Sequence, residues 1–313
     1  MNIKPILFLS FILLSIWTTL SGQEIKLPLA TKSGHLYSEW QLNDSIKAIV
    51  SLESGFPKIV ISRSFAQNNL SELKTEKASK DANIALWGGQ NKIKVSYLIK
   101  DTVTVNGKQK FFDALVADFS TVKSWKDYDI IYPIQDLSGA TEINIKDNYM
   151  IVDKDLKNLS FGFIKLKAKT DKITKGLYIN TTLQIFDTSH NKEKLKGNFL
   201  LDLGAPNAIF IDRNLTEVEK FVINSDRFIL KDTTKFKTDP KIELAIIMPE
   251  IIQVGDIFLE NNFIVAMKMF KSEISSKLVG MIGNKFFNNF DMIFDFKDNE
   301  IYMKPNSDNV KIE

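Results

Sequence analysis

The chain has no cysteine among its 313 residues, which removes disulfides, thiolate metal sites and cysteine nucleophiles at once. Histidine is almost as scarce. His35 and His190 are the two present. Each stands among polar, loop-like residues with no second ligand at metal spacing, so both read as solvated side chains, and neither a metal nor another cofactor is expected. An excess of one charge is also missing, since 41 Lys and Arg face 38 Asp and Glu for a net +3. The signs are interspersed and no basic block stands alone, which argues against a nucleic-acid partner. Glycine and proline are modest at 14 and 8 residues, so a low-complexity or linker-dominated chain is excluded. Beyond the N-terminal segment no run is long and apolar enough to cross a bilayer.

What is present begins with that N-terminal segment. Lys4 precedes an apolar stretch over residues 6–17, followed by the small or polar Thr18, Thr19, Ser21 and Gly22 and a polar start at Gln23. A short basic region, an apolar run too short for a span and a small-residue site have the form of a signal peptide over 1–22. The expected mature chain starts near Gln23 and is exported to the periplasm, cell surface or medium, with no membrane span after cleavage. Without a cysteine at the cleavage site no lipid anchor is expected, and stability has to come from the core rather than from covalent staples.

From Gln23 onward the texture is β. β-branched residues cluster or alternate over 46–52, 92–99 and 102–105, and short Gly- or Asn-bearing turns separate such runs. Asn106-Gly107 predicts a tight hairpin, because both residues tolerate positive φ. The spacing predicts short helices over 64–73, 214–221 and 284–290, and the whole reads as an all-β fold. The length favours two domains.

The most informative stretch is Phe199-Leu200-Leu201-Asp202-Leu203-Gly204-Ala205. A carboxylate at the end of an apolar strand and followed almost at once by Gly-Ala is delivered by a rigid element into a tight turn, an arrangement that suits catalysis. A strand ending in an ordinary Asp turn has the same spacing. A second copy separates the two readings, and the chain supplies one about 150 residues upstream, the scale of a domain. Glu53-Ser54-Gly55 aligns with Asp202-Leu203-Gly204, Pro57 with Pro206, and Ile59-Val60-Ile61 with Ala208-Ile209-Phe210. Lys146-Asp147-Asn148 repeats as Lys297-Asp298-Asn299, and the stretch 105–116 has the cadence of 254–265. Three landmarks in one order predict two related lobes joined near 153–158.

Two lobes, each with an apolar strand, an acid-x-Gly turn and a following apolar strand, resemble the aspartic peptidases of the retropepsin and pepsin kind. The second lobe matches better. Its Asp202-Leu203-Gly204-Ala205 looks like the family's Asp-Thr/Ser-Gly turn, and Leu278-Val279-Gly280-Met281-Ile282-Gly283 looks like the apolar-apolar-Gly signature that precedes a short helix. The resemblance spans residues 30–305 and implies two acid-protease-like β-barrel lobes, 23–155 and 156–313, with a cleft between them. It implies Asp202 and Glu53 as the catalytic pair, supported at their turns by Ser54, Gly55, Gly204, Ala205 and Gly283. It also implies an extended peptide or protein as substrate, a monomer being compatible with this, and a flap, for which Trp87-Gly88-Gly89 is the candidate. Two carboxylates held together cannot both ionise comfortably, so one would activate water while the other donates a proton.

Departures from the pattern fall on the same residues. Glu53 stands where the family has Asp, and Leu203 where it has Thr or Ser, which would leave Ser54 without its partner hydroxyl. Asp129-Ile130-Ile131-Tyr132 stands opposite Gly280-Met281-Ile282-Gly283, with Pro133 next, so the second signature is incomplete in the first lobe and its turn and free N–H are not expected there. Two readings therefore stay open: a divergent aspartic hydrolase working through Glu53 and Asp202, or an exported peptide- or protein-binding module that has lost hydrolysis. Asp291, Asp295 and Asp298 read as a solvated turn rather than a calcium loop.

Overall fold

Alternation at period two points one side of each strand inward, and the longest alternating runs make the longest hairpins. The computed structural model describes residues 24–32, 34–85, 92–137, 139–159, 161–172, 175–186, 192–206, 208–225, 228–229, 244–260, 262–267 and 278–312. Among these the chain is mostly strand, as expected. Lys92–Val105 pairs with Lys108–Ala117 through a turn in which Asn106 and Gly107 take φ of 49° and 81°. The repeated Lys-Asp-Asn turns behave alike, with Asn148 at φ 58° and Asn299 at φ 55°. Three α-helices occur among the described residues, Arg63–Asn69, Thr216–Asn224 and Asn284–Phe287. Each falls where the spacing predicts one, with shifted ends. The second starts later because Asp212 Oδ1 accepts both the backbone N–H and the side-chain amide of Asn214, closing a turn ahead of the helix.

The strands form three sheets. A nine-stranded sheet is built from residues 30–133 and a ten-stranded one from residues 169–312. Between them lies a six-stranded sheet in the order Ile25–Pro28, Tyr149–Lys154, Ala140–Asn144, Phe290–Asp295, Glu300–Pro305, Ile164–Lys167. Three of its strands precede the junction and three follow it. The halves meet where Thr141 pairs with Phe294 and Ile143 with Met292. One buried apolar cluster runs through both lobes and this shared sheet, and includes Leu52, Ile61, Tyr132, Ile143, Leu201, Leu203, Phe287 and Met292. The described residues thus form an all-β, two-lobed structure with few short helices, and none of these helices is long and apolar enough to cross a membrane.

The internal repeat is visible in the hydrogen-bonded ladders. Ile130–Pro133 runs parallel to Ile46–Glu53 and antiparallel to Ile59–Ser62, and in turn Ile59–Ser62 runs parallel to Lys108–Ala117. Leu278–Gly283, Lys192–Asp202, Ile209–Asp212 and Ile264–Met267 repeat the same pattern. In these registers Pro133 lies opposite Glu53 as Gly283 lies opposite Asp202. Two alignments from the sequence therefore move by one residue. Ile130, not Asp129, occupies the place of Gly280, and Ile59 matches Ile209 rather than Ala208. The first lobe also keeps the crossing strand. There Ile130 and Ile131 pair with Ile61 and Val60, and the lobe departs only afterwards, where Pro133 leads into the one-turn helix Ile134–Asp136.

Asp295 is a further correction, because it is buried rather than solvated and its Oδ1 accepts the N–H groups of Lys297 and Asp298. Asn144 Oδ1 does the same for Asp147 in the first lobe.

At Gly280 a Cβ would overlap the carbonyl oxygen of Phe210. Gly280→Ala should therefore lower the unfolding free energy by about 2 kcal/mol or more, as backbone displacement in a packed core does. Denaturant titration with an unchanged m-value is the measurement.

Candidate active site

Both acids sit at the ends of buried strands. The last four residues of Ile46–Glu53 and of Lys192–Asp202 are all buried, so apolar packing on both sides fixes the point at which each strand releases its carboxylate. Glu53 is 8 % exposed and Asp202 4 %.

The two turns interlock. A Cβ on Gly55 would stand 2.7 Å from Asp202 Cγ, and one on Gly204 would overlap Glu53 Oε2. Each glycine thus lies directly against the other lobe's carboxylate, and no residue with a side chain fits in either place. Asp202 Oδ1 accepts the N–H of Gly204 at 2.9 Å, and the backbone of Gly55 hydrogen-bonds the same carboxylate from across the interface. The lobes' acids are brought together, as the repeat predicts.

Their electrostatics differ. Burial first, and then the charge of Asp202, push the Glu53 carboxyl well above its ordinary value. Burial also raises Asp202, but the N–H groups of Gly204 and Gly55 favour its charged form and hold it at about 6. The two N–H groups thus favour charge on Asp202, and a charged Asp202 disfavours it on Glu53. Tyr128, pushed up to about 12 by burial and next by Glu53, marks the aromatic side of the site. Beside it stand Tyr37, with ring centroids 6.1 Å apart, and the edge-to-face pair Phe56 and Trp125 at the same separation.

Ser54 is not left unpartnered by Leu203. Its hydroxyl donates to the carbonyl of Leu201 at 2.8 Å and accepts the N–H of Leu203 at 2.8 Å, tying the first turn to the second through main-chain atoms. Leu203 does not return the contact; its side chain is fully buried in the common core. The second turn is instead held from behind. Asn284 Nδ2 donates to the carbonyls of Leu203 and, at 2.8 Å, of Gly34, while Asn284 N donates to Ala205 O at 2.7 Å. Ala205 N in turn donates to Asp202 O at 3.2 Å, and Gly283 N donates to Ala208 O at 2.8 Å.

Sequence reasoning missed Asn284, Gly34 and Gly176. A Cβ on Gly34 would strike Pro206, and one on Gly176 would overlap the carbonyl of Ser54. These partners lie at least 79 residues away in sequence, so no local pattern marks them. His35 is also corrected: it is half-buried and hydrogen-bonds the Gly204 backbone, and burial lowers its pKa. His190 and the candidate flap Trp87-Gly88-Gly89 lie outside the described residues. The strands leading to that flap, Asn83–Ala85 and the start of Lys92–Val105, pair antiparallel. Among the described residues no cluster of His, Asp or Glu has the form of a metal site.

Two lobes around a shared sheet, each presenting one acid-x-Gly turn to the other, define the aspartic-proteinase architecture. The crystal structure of the aspartic proteinase from Irpex lacteus superposes on this chain with a TM-score of 0.59, covering 91 % of this chain and 98 % of that one at 9 % identity. No family model matches the sequence, and no curated protein matches it. At that identity the likeness carries the fold, and chemistry has to be argued from the residues.

Two predictions follow from the buried pair and its support. The folded-state pKa of Glu53 lies above its unfolded value, so its contribution to stability is complete below the unfolded value and is lost as pH rises toward the folded one. Glu53→Gln should therefore melt close to the parent near pH 4 and progressively above it toward pH 8, by up to about 1.4 kcal/mol per pH unit for one proton. Asn284→Ala leaves the Leu203 and Gly34 carbonyls without that donor and should cost about 2–3 kcal/mol, read by calorimetry.

Proposed function

We propose that the protein is an exported aspartic peptidase of divergent type, in which Glu53 and Asp202 activate water to hydrolyse peptide bonds. The observation that carries this reading is the paired burial of the two carboxylates, with Asp202 alone stabilised in its charged form by two backbone N–H groups. Ionised Asp202 takes a proton from a water placed between the carboxyls, and protonated Glu53 donates to the scissile carbonyl oxygen. Collapse of the tetrahedral intermediate with proton transfer to the amine releases both products, and no covalent enzyme intermediate forms. An extended peptide laid across the pair would gain strand-like main-chain hydrogen bonds. The half-buried Tyr37 and Phe56, packed on the cluster that holds Tyr128 beside Glu53, would favour a bulky apolar side chain next to the cleaved bond. The segment 1–22 supports export.

A specific observation favours the second reading, a peptide-binding module without hydrolysis. Leu203 makes the tie between the turns one-sided, and Glu53 extends its carboxyl one methylene further than an Asp would. The longer arm sets the Glu53 carboxyl against Gly204 in the opposite turn, and because both positions still carry carboxylates we prefer hydrolysis.

Incubation of the mature chain with a mixed peptide library decides between the two. Cleavage should vanish in Asp202→Asn and Glu53→Gln and fall about 100-fold in Glu53→Asp, whose carboxyl is withdrawn by about 1 Å. Retained binding of uncleaved peptides by the parent would establish the module instead.

The rate should follow a bell in pH. The acidic limb falls near pH 6, because protonating Asp202 removes the base, and the alkaline limb falls where Glu53 loses its proton. Measured kcat/KM against pH is the check, and an optimum below pH 4 would contradict the assignment.

A further inference from the structure

Behind the strand that carries Asp202, on its opposite side, lies a cavity of about 240 Å³. Its inner walls are apolar, with Leu166, Ile179, Leu201, Ile282, Phe287 and Met303, and Lys167, Asn180, Thr181 and Asp256 add polar groups to the lining. Leu201 and Ile282 immediately precede Asp202 and Gly283, so alternation along the two strands puts the cavity and the acid on opposite faces. Water in such a space finds few polar partners, and an apolar cavity of about 150 Å³ already admits a benzene ring. The volume here suits a flexible chain of roughly eight to ten carbons.

Two further observations bear on entry and on the head group. The cavity lies between the ends of two sheets. Ile164–Lys167 is the outermost strand of the six-stranded sheet and Val310–Ile312 the outermost of the ten-stranded one, each paired on one side only. Separating them breaks no ladder between the strands they flank. Of the residues that line it, Lys167 and Asp256 are exposed and Thr181 is half-buried. The Glu300 carboxylate beside Lys167 is already engaged by Lys165 Nζ at 2.6 Å and by the Tyr302 hydroxyl at 2.7 Å. Lys167 and Thr181 supply donors for a carboxylate or similar anion at the end of an alkyl chain, whereas Asp256 is an acceptor only and turns such a head toward Lys167.

We propose that this cavity is a binding site for a single-chain amphiphile with an anionic head, with its tail against Leu201 and Ile282 and its head at Lys167. The site does not depend on hydrolysis at Glu53 and Asp202, and its test needs no activity.

Decanoate is titrated into the full mature chain below its micellar concentration, with heat and the Met303 methyl resonance followed together. Saturation at one molecule per chain with a shift at Met303 is expected. Leu166→Trp, which fills the cavity, should weaken binding more than tenfold, and Ile257→Phe serves as the filling variant if the first melts below the parent. Lys167→Glu should weaken decanoate about tenfold and strengthen decyltrimethylammonium. Absence of saturation, saturation without a shift at Met303, or affinity untouched by cavity filling overturns the site. Equal affinity of the parent for the cationic analogue overturns the assignment of the head group.

Discussion

Two carboxylates buried against each other's backbone form the constraint on which the structure depends. Burying a lone ionised carboxylate is costly, and burying two side by side would be prohibitive were both charged. The protein resolves this by unequal support. Asp202 receives two N–H donors that favour its charged form, while burial and the charge of Asp202 favour the neutral form of Glu53. That solution requires glycine at positions 55 and 204, because each stands where the opposing carboxyl lies. It also requires the lobes to be held in fixed relation, which the six-stranded sheet and the common apolar core provide.

The two halves have diverged in how they hold their turns while keeping the same ladder. In the first lobe Ser54 reaches across to main-chain atoms of the second. In the second, Leu203 has gone into the core, and Asn284 and the backbone of Gly34 hold the turn from behind. The crossing strand tolerates Ile130 in place of glycine because strand pairing is set by backbone donors and acceptors, which change little with the side chain. Gly280 is needed in the second lobe because the carbonyl of Phe210 approaches it closely. Equivalent positions therefore carry different demands, and residue identity alone is a poor guide to which lobe is intact.

Much of the fold was legible because it follows from local rules. The Asn106-Gly107 hairpin, the two Lys-Asp-Asn turns and the three short helices depend on φ preferences and periodicity within a few residues. The repeat of acid-x-Gly was legible for the same reason, although a single inserted residue before Ile209 shifted the alignment of the strands that follow. Asn284, Gly34 and Gly176 were not legible. Each makes a contact with atoms of the opposite lobe, and nothing in their immediate neighbours encodes such a contact.

The sequence by itself determined that the chain is a duplicated β protein with one carboxylate at the end of an apolar strand in each half, since strand pattern and turn chemistry are properties of short segments. Only the tertiary structure decided what those carboxylates are to one another. Their shared burial and the allotment of N–H donors to Asp202 arise from two strands far apart in sequence meeting across an interface. It likewise decided that Leu203 joins the core rather than opening a gap beside Ser54. A hydroxyl finds backbone partners wherever they come within reach, and only the packed lobes bring them there.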